Sequence, residues 1–271
     1  MKTPTNNSTL FPLKGGRGSK FFIFCQGDIL LTSEGSVPFG DSAPIELKPW
    51  EKVTALKDSS PRGGWEGAFV GMLSKPITDR PDLQMMPLRK SFHILSAEDY
   101  QLAGKCAELV YFHQNTKFCG VCGGEMRWQT EISKQCRECG KELWPSLATA
   151  IIVRVRRGDE ILMVHAHTFR DRHYGLVAGF VETGETLEEC VQREVWEETH
   201  LRITNIRYFA SQPWPYPSGL MIGFTADYLS GDLQLQKGEL SDGGWYSRDN
   251  LPCLPDPSSI AYRLIMDWVN S

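Results

Sequence analysis

Three glutamates and one arginine crowd the second half of a helix predicted near the middle of the chain. They are Arg193, Glu194, Glu197 and Glu198. At about 100° per residue, Glu194 and Glu198 fall within roughly 20° of Leu187, on the apolar stripe of the helix. Carboxylates four residues apart repel each other, and negative charge near a helix C-terminus opposes the macrodipole. A solvated acidic face fits this direction poorly, so the pattern favours a divalent-cation site, to which Mg²⁺ commonly binds through carboxylates.

Two further charged residues are expected to support such a site. Arg193 has no acceptor atom and cannot be a ligand, so we predict that it orients the glutamates through bidentate hydrogen bonds. Glu185 precedes the helix, where the macrodipole favours a carboxylate. We therefore expect Glu185 to hold the ligands in place without binding the cation itself.

Four of the eight cysteines form two close pairs, Cys119-x2-Cys122 and Cys136-x2-Cys139, with thirteen residues between the pairs. This spacing is typical of a zinc ribbon. Four thiolates fill the tetrahedral shell of Zn²⁺, so the pattern predicts a structural zinc site. Two redox-active pairs are the alternative, but the surrounding strand and helix pattern of such pairs is lacking. The other cysteines are interpreted as reduced thiols, namely Cys25, Cys106, Cys190 and Cys253.

A rigid aromatic segment follows the acidic helix. It reads Ser-Gln-Pro-Trp-Pro-Tyr-Pro-Ser-Gly over residues 211–219. Three prolines leave the backbone little freedom, and flat aromatic side chains suit stacking on a nucleobase. A loop at the edge of the core is an equally good interpretation of this run taken alone.

The elements that must position these groups alternate between strands and helices. Thr186 and Glu189 form a capping pair that predicts the start of the acidic helix. Apolar runs on both sides of residues 157–159 predict a hairpin. Further strands are predicted at 206–210, 220–228 and 244–246, and a final helix carries Ile260, Leu264, Ile265 and Trp268 on one face. Helices mixed with strands indicate an α/β or α+β domain over residues 144–271.

The first 117 residues form a region of strand-like runs broken by glycine and proline. Ser96 and Asp99 predict the cap of a helix that closes this region. His113 ends the apolar stripe of that helix and is interpreted as a packing or surface residue, not a ligand. The region carries no chemical motif, which favours a recognition or scaffolding lobe. Three parts result: the lobe 1–117, the zinc ribbon 118–143 and the domain 144–271.

Composition limits the possible function classes. The chain has 271 residues, 41% of them hydrophobic, which is enough for two domains with cores. A net charge of −4 argues against holding nucleic acid by broad neutralisation of phosphates, although a local basic pocket is compatible with it. Residues 1–10 are polar and lack the layout of a secretory signal, and no run approaches the ~20 apolar residues that span a bilayer. We expect a soluble cytoplasmic protein.

The acidic helix and the turn before it resemble the Nudix box, G-x5-E-x7-R-E-U-x-E-E-x-G-U, in which U is aliphatic. The matching positions are Gly179, Glu185, Arg193, Glu194, Val195, Glu197, Glu198 and Leu201. His200 stands where the family has glycine, at a place where helices commonly end in a left-handed residue. Histidine tolerates that conformation better than most residues, so we expect a cost in stability and intact chemistry. The resemblance implies an α/β/α sandwich with a mixed sheet that hydrolyses nucleoside diphosphates linked to another moiety, with Mg²⁺ or Mn²⁺.

Together with the cysteine pairs, the proline-rich segment resembles the SQPWPFPxS array of the NADH pyrophosphatase subfamily of Nudix hydrolases. Tyr216 replaces its phenylalanine, and Gly219 replaces its closing serine. The resemblance extends from about Phe118 to the C-terminus. It implies cleavage of the central pyrophosphate of NADH or NAD to nicotinamide mononucleotide and AMP, and possible removal of NAD caps from RNA 5′ ends. Because subfamily members pair and share a site, it also implies a homodimer.

The resemblance assigns roles to individual residues. The implied catalytic residues are Glu194, Glu197, Glu198, Arg193, Glu185 and Glu239, with Glu194, Glu197, Glu198 and Glu239 as Mg²⁺ or Mn²⁺ ligands. The implied substrate-binding residues are Phe180, Ala178, Trp144, Gln212, Pro213, Trp214, Pro215, Tyr216, Pro217, Ser218, Gly219, Glu131 and Ala261. By residue type alone, Ala178, Glu131 and Ala261 would be interpreted as structural.

Two alternatives to this function stay open. One is a broader hydrolase of nucleoside diphosphates linked to another group, and the other is a non-catalytic nucleotide-sensing regulator that uses the zinc ribbon. The complete set of acidic positions favours an enzyme over a regulator.

Overall fold

The computed structural model describes residues 18–57, 67–169 and 172–271. The chain divides into two compact units, Met1–Ser146 with Pro215–Pro217 and Leu147–Trp214 with Ser218–Ser271. Residues 1–10, whose polar composition argues against a secretory signal, lie outside the described residues. Within the described parts of the chain, no helix is both long enough and apolar enough to cross a membrane.

A six-stranded sheet opens the N-terminal unit, and it confirms the strand-like runs of the sequence. Its strands are β1 (Ser19–Cys25), β2 (Asp28–Thr32), β3 (Phe39–Gly40), β4 (Lys52–Lys57), β5 (Gly67–Met72) and β6 (Leu83–Pro87). The strand order is β4-β5-β1-β2-β6, and β3 pairs with β1. Strands β1 and β5 are parallel, whereas the other pairs are antiparallel. Short 3₁₀ helices lie at Pro49–Glu51 and Leu88–His93.

Helix α1 (Ala97–Asn115) follows this sheet and begins where its capping pair predicts. The Asp99 N–H donates to the Ser96 Oγ at 3.1 Å. The buried face of α1 packs against residues of the sheet, including Phe22 and Val70, in one apolar cluster. Burial of this face away from water is the main source of stability for such a helix.

The zinc-ribbon segment forms a small antiparallel sheet of β7 (Met126–Trp128), β8 (Lys134–Cys136) and β9 (Glu142–Leu143). Buried Lys134 fixes this sheet to the end of α1, because its Nζ donates to the carbonyls of His113 at 3.3 Å and Thr116 at 3.0 Å. The His113 ring stacks on Trp128 with centroids 5.9 Å apart. Burial lowers the pKa of His113 to about 4, so His113 packs as a neutral ring, as the sequence predicts.

A second six-stranded sheet forms the C-terminal unit. Its strands are β10 (Ala148–Arg157), β11 (Glu160–Ala166), β12 (Val177–Phe180), β13 (Arg202–Pro213), β14 (Gly219–Ser230) and β15 (Leu240–Ser247). The order is β13-β14-β10-β11-β15, with β12 on β10. Strands β10 and β14 are parallel and the remaining pairs antiparallel, so the sheet is mixed. A 3₁₀ helix lies at Arg248–Asn250. The predicted hairpin is confirmed, and Gly158 supplies the positive φ of 58° that its two-residue turn requires.

One helix covers each face of this second sheet. Because strand side chains alternate between faces, Ile151 and Val153 of β10 pack with α2 (Leu187–Thr199), whereas Ile152 packs with α3 (Ile260–Val269). The buried residues of α3 are those that the periodicity predicts, with Leu264 and Ile265 fully inaccessible. This layering confirms the predicted α/β/α sandwich with a mixed sheet.

Candidate active site

Both ends of α2 follow from local sequence. At its start, the Glu189 N–H donates to Thr186 Oγ1 at 3.2 Å, and the Thr186 N–H donates back to Glu189 Oε2 at 2.7 Å. This reciprocal capping box is the predicted one. At its end, His200 adopts the left-handed conformation with φ 58° and ψ 20°. His200 Nδ1 lies 3.2 Å from the Gln234 carbonyl oxygen, and its ring contacts Trp196, which offsets part of the strain of a non-glycine residue.

The Arg193 guanidinium connects four acceptors around the start and middle of α2. It binds Glu185 with two hydrogen bonds of 3.0 and 2.6 Å. Its Nη1 also donates to Glu194 at 2.8 Å and to Glu197 at 3.0 Å, and its Nη2 donates to the Phe180 carbonyl at 3.0 Å. The pKa of Glu185 falls to about 2 through Arg193 and the Glu182 N–H. Arg193 therefore sets the orientation of three carboxylates at once.

Glu194 and Glu198 are buried, as their helical direction predicts, whereas Glu197 is exposed. Burial and the negative charges of Glu194, Glu239 and Glu197 raise the pKa of Glu198 to about 8. Burial also raises the pKa of Glu194, an effect that Arg193 opposes. Among the described residues, no hydrogen bond or ion pair reaches the Glu198 carboxylate, so this corner of the site is short of positive charge.

A glycine is required next to this cluster. Gly179 lies on β12, and a Cβ placed there would fall 1.9 Å from the carboxyl carbon of Glu194. The glycine that opens the motif thus provides the space in which the Glu194 carboxylate lies. The next residue, Phe180, exposes 66% of its surface, which leaves a flat ring available for stacking.

The proline-rich segment begins at the end of β13. The Trp214 N–H donates to the Gly219 carbonyl at 2.8 Å and closes the base of a loop. A Cβ at Gly219 would lie 3.0 Å from the Ala148 carbonyl oxygen, so a larger residue would crowd the strand beside it. Ser218 is buried, and its carbonyl accepts from the Ala148 N–H at 3.1 Å. Pro213 forms the last pair of β13, opposite Leu220.

The Gln212 side chain has a partner for each end of its amide. Its Nε2 donates to the Ser258 carbonyl at 2.7 Å, and its Oε1 accepts from the Ile260 N–H at 2.6 Å. Gln212 therefore satisfies the first turn of α3, a function that the motif alone does not indicate. Ala261, in that first turn, packs in the same apolar cluster as Ala178 of β12.

Five predicted substrate residues belong to the N-terminal unit, namely Glu131, Trp144, Pro215, Tyr216 and Pro217. Trp144 exposes 54% of its surface there. Glu131 lies in the turn between β7 and β8. The Glu131 carbonyl accepts from Thr54 Oγ1 at 3.2 Å, and its carboxylate accepts from the Lys57 N–H at 3.3 Å. These contacts join the turn to β4, which fixes the position of its carboxylate.

The four paired cysteines converge as a tetrahedral site requires. Their Sγ atoms all lie within 4.8 Å of one another, with 3.7 Å between Cys119 and Cys139 and 3.4 Å between Cys122 and Cys136. Ligands at ~2.3 Å from one zinc are about 3.8 Å apart in a tetrahedron. In the described part of the chain, these four cysteines are the group of three or more potential metal ligands whose ligand atoms lie this close together. The carboxylate oxygens of Glu194, Glu197 and Glu198 on α2 are hard donors, which suit a hard cation such as Mg²⁺.

Comparison with known proteins agrees with this geometry. A family model for the NUDIX domain matches residues 145–269. The NAD-capped RNA hydrolase NudC of Yersinia pestis is 39% identical over 259 residues, which cover 94% of this chain and 94% of that protein. NudC of Pectobacterium atrosepticum is 48% identical over 171 residues, 63% of this chain and 66% of that relative's length. A crystal structure of a NUDIX hydrolase from Nitrosomonas europaea, 22% identical, superposes with a TM-score of 0.50 over 57% of this chain and 91% of that chain.

The mixed sheet between two helices and the Arg193-centred carboxylates define a Nudix hydrolase domain. With the extended match to NudC proteins, the chain belongs to the Nudix superfamily and, within it, to the NADH pyrophosphatase subfamily. Both resemblances identified from the sequence are thereby confirmed.

Tyr100 and Gly104 of α1 contact the proline-rich loop, and sequence patterns did not indicate this. Tyr100 Oη lies 2.6 Å from Tyr216 Oη. A Cβ at Gly104 would lie 3.2 Å from Pro215 Cγ. The one available signal was a glycine in the middle of an otherwise regular helix, where glycine is unfavourable unless packing requires it.

Proposed function

We propose that this protein hydrolyses the central pyrophosphate of NADH or NAD and removes NAD caps from RNA 5′ ends. The observation that carries the proposal is the buried Glu198 carboxylate, which has no hydrogen-bond or ion-pair partner in the described part of the chain and feels the negative charges of Glu194 and Glu239. A site so short of positive charge is suited to a cation and, with it, to a phosphate substrate. The NudC proteins, which align along 94% of the chain in the Yersinia pestis case, are NAD-capped RNA hydrolases by name and support this substrate class.

The reaction adds water across one phosphoanhydride bond. The water oxygen bonds to phosphorus, the bond from that phosphorus to the bridging oxygen breaks, and nicotinamide mononucleotide and AMP leave with the two protons of water distributed between products and solvent. Arg193 keeps Glu194 and Glu197 in fixed orientations, and Glu185 in turn holds Arg193. The exposed ring of Phe180 provides a stacking surface for a base, and the residues from Gln212 to Gly219 are proposed to bind the substrate as well.

The residues proposed to hold Mg²⁺ or Mn²⁺ are Glu194, Glu197, Glu198 and Glu239. The cation would supply positive charge that offsets the phosphate oxygens during attack. Before it binds, a proton on Glu198 limits the repulsion among these carboxylates, because the pKa of Glu198 is raised to about 8. Loading the site thus requires release of that proton.

We extend the proposal to the rest of the molecule in four respects. Cys119, Cys122, Cys136 and Cys139 hold one structural Zn²⁺, which their convergence supports. The lobe 1–117, the ribbon 118–143 and the catalytic domain 144–271 are three functional parts. The enzyme acts as a homodimer. It works in the cytoplasm, where its four other thiols stay reduced.

A substrate panel tests this function. Purified protein with Mg²⁺ or Mn²⁺ is assayed on NADH, NAD, ADP-ribose and a short NAD-capped RNA, and products are identified by mass spectrometry. We expect AMP and the matching mononucleotide from NADH or NAD, and a 5′-monophosphate end on the RNA. Rapid turnover of ADP-ribose with none on either dinucleotide or cap would replace our substrate assignment with a broader hydrolase.

A further inference from the structure

The apex of the proline-rich loop packs on α1. Residues Pro215–Pro217 belong to the N-terminal unit, although the chain on both sides belongs to the C-terminal unit. The Tyr216 ring joins the partly buried residues around the main apolar cluster of that first unit. Its ring therefore serves packing on the first unit, which differs from the stacking role that the motif implies.

The Tyr216 hydroxyl has a specific partner on α1. Tyr100 Oη lies 2.6 Å from Tyr216 Oη, and both side chains are half-buried. The Tyr100 ring is itself held edge-on against Phe92, with centroids 5.3 Å apart. Tyr216 is the position at which this chain departs from the phenylalanine of the subfamily, and phenylalanine has no hydroxyl to make this bond.

One helical turn further along α1, Gly104 makes room for the same apex. Its position four residues after Tyr100 places it on the same face of the helix. A Cβ there would approach Pro215 Cγ to 3.2 Å, closer than ordinary contact. Glycine in a helix interior costs about 1 kcal/mol relative to alanine. Gly104 thus lowers the stability of α1 at the turn that Pro215 approaches.

A surface pocket of about 350 Å³ lies beside the apex, lined by Leu88, Ala107, Val110 and Tyr111 together with Pro215–Pro217. The specific contacts of the apex with α1 are the hydroxyl pair and the close approach of Pro215 to Gly104.

We propose that Tyr216 and Tyr100 are positioning residues whose hydroxyl bond fixes the apex of the substrate loop on α1. Gly104 permits this contact. At the base of the loop, the Trp214 N–H donates to the Gly219 carbonyl at 2.8 Å. A fixed loop binds substrate without first losing conformational freedom. The link to substrate rests on the proposed function, whereas the anchoring of the loop does not.

Hydrogen exchange in the free protein tests the anchoring. Exchange of amides in 211–219 is followed by mass spectrometry in Tyr216→Phe, Tyr100→Phe and the double variant. We expect exchange to accelerate about 3–10-fold in each single variant, as loss of one hydrogen bond predicts, with no further increase in the double variant. Tyr111→Phe is the matched control, since Tyr111 lies on α1 and lines the same pocket, and it should leave exchange unchanged. Unaltered exchange in both single variants, or fully additive effects, would overturn the proposal.

Kinetics on NADH test the consequence for substrate. Both single variants should raise KM about 3–10-fold at unchanged kcat, because the loop but not the carboxylate cluster is affected. Gly104→Ala should raise KM and loop exchange as well, even though alanine favours the helix. A fall in kcat at constant KM would contradict a positioning role. If wild-type protein cleaves none of NADH, NAD and NAD-capped RNA, the proposed function fails, and hydrogen exchange still decides whether the loop is anchored.

Discussion

Arg193 and Glu198 belong to one motif, but Arg193 is surrounded by oppositely charged partners and Glu198 by charges of its own sign. Arg193 contacts three carboxylates and a carbonyl, and those hydrogen bonds raise its pKa further. Glu198, five residues later, lies buried beyond the reach of that guanidinium among the described contacts. Arg193 therefore orients carboxylates, whereas the buried Glu198 carboxylate has no cationic partner among the described residues.

Replacing the Glu198 carboxylate should remove activity and preserve the fold. We expect Glu198→Gln to lower kcat/KM for NADH by about 100-fold or more, because an amide is a poorer cation ligand of nearly equal size. Initial rates of AMP release measure this effect, and circular dichroism checks the fold. Glu188→Gln, at an exposed position on the same helix, should keep full activity. Unchanged turnover in Glu198→Gln would remove this residue from the mechanism.

The same carboxyl should make stability depend on pH when no cation is added. Its pKa is raised from 4.5 to about 8 in the folded state, so folding favours the protonated form. This contribution to stability is fully present below pH 4.5 and is lost as pH rises through 8. In zinc-loaded protein without added Mg²⁺ or Mn²⁺, Glu198→Gln should gain stability relative to wild type as pH increases from 5 to 8.5. Denaturant titrations at several pH values give the difference, and a constant difference would contradict the assignment.

His200 should carry a measurable backbone cost. A non-glycine residue in the left-handed region is disfavoured by about 1–2 kcal/mol, and contacts with Trp196 and Gln234 recover part of it. We expect His200→Gly to raise the unfolding free energy by about 0.5–1 kcal/mol with unchanged kcat. His200→Ala keeps the strain and loses the ring contacts, so it should be less stable than wild type. Equilibrium denaturation ranks the three proteins.

At the scale of elements, the position of each functional side chain is set by the helix or strand that carries it. Helix α2 is capped by Thr186 and places the Glu194 carboxylate against Gly179 of β12. Strand β8 carries Lys134 to the end of α1, where its Nζ donates hydrogen bonds to the carbonyls of His113 and of the C-cap residue Thr116. A cation at a helix C-terminus is favourable, and here it joins the ribbon to the helix.

Zinc removal should unfold the ribbon and destabilise the lobe to which it is joined. We expect Cys136→Ser to lose bound zinc and to lower Tm by about 10 °C or more, since a structural site contributes its binding energy to folding. Atomic absorption measures the zinc, and calorimetry measures Tm. Cys253→Ser, at an exposed cysteine outside the cluster, should retain one zinc per chain and the wild-type Tm. Full zinc content in Cys136→Ser would exclude this ligand.

At the scale of the whole molecule, a short segment that lies within the sequence of the second compact unit belongs to the first unit. The loop apex Pro215–Pro217 packs with the first unit, so neither unit is a single continuous stretch of sequence. A cut of the chain near residue 144 would leave the loop apex without α1.

The homodimer that the subfamily implies is a prediction about the whole assembly. Sedimentation equilibrium at micromolar concentration should give the mass of two chains, and the specific activity should fall on dilution below the dissociation constant if the two chains share a site. A single-chain mass at every concentration, with constant specific activity, would contradict the dimer.

Local structural features could be predicted from the sequence because they depend on residues only a few positions apart. The capping box at Thr186, the buried direction of Glu194 and Glu198, the left-handed end at His200 and the cysteine pairs all depend on neighbours within one or two turns. These features determined the fold class and the centre of the site.

Contacts between residues that are far apart in the sequence could be identified only from the tertiary structure. Tyr100 and Tyr216 are 116 positions apart, and the Gln212 amide meets partners more than forty residues away. No periodicity encodes such pairs, because they arise only when separate elements pack together. The sequence by itself thus determined which glutamates of α2 share the buried direction of the helix, because that direction follows from helical periodicity. Only the folded molecule decided how Arg193 divides its bonds among them and which helix fixes the substrate loop.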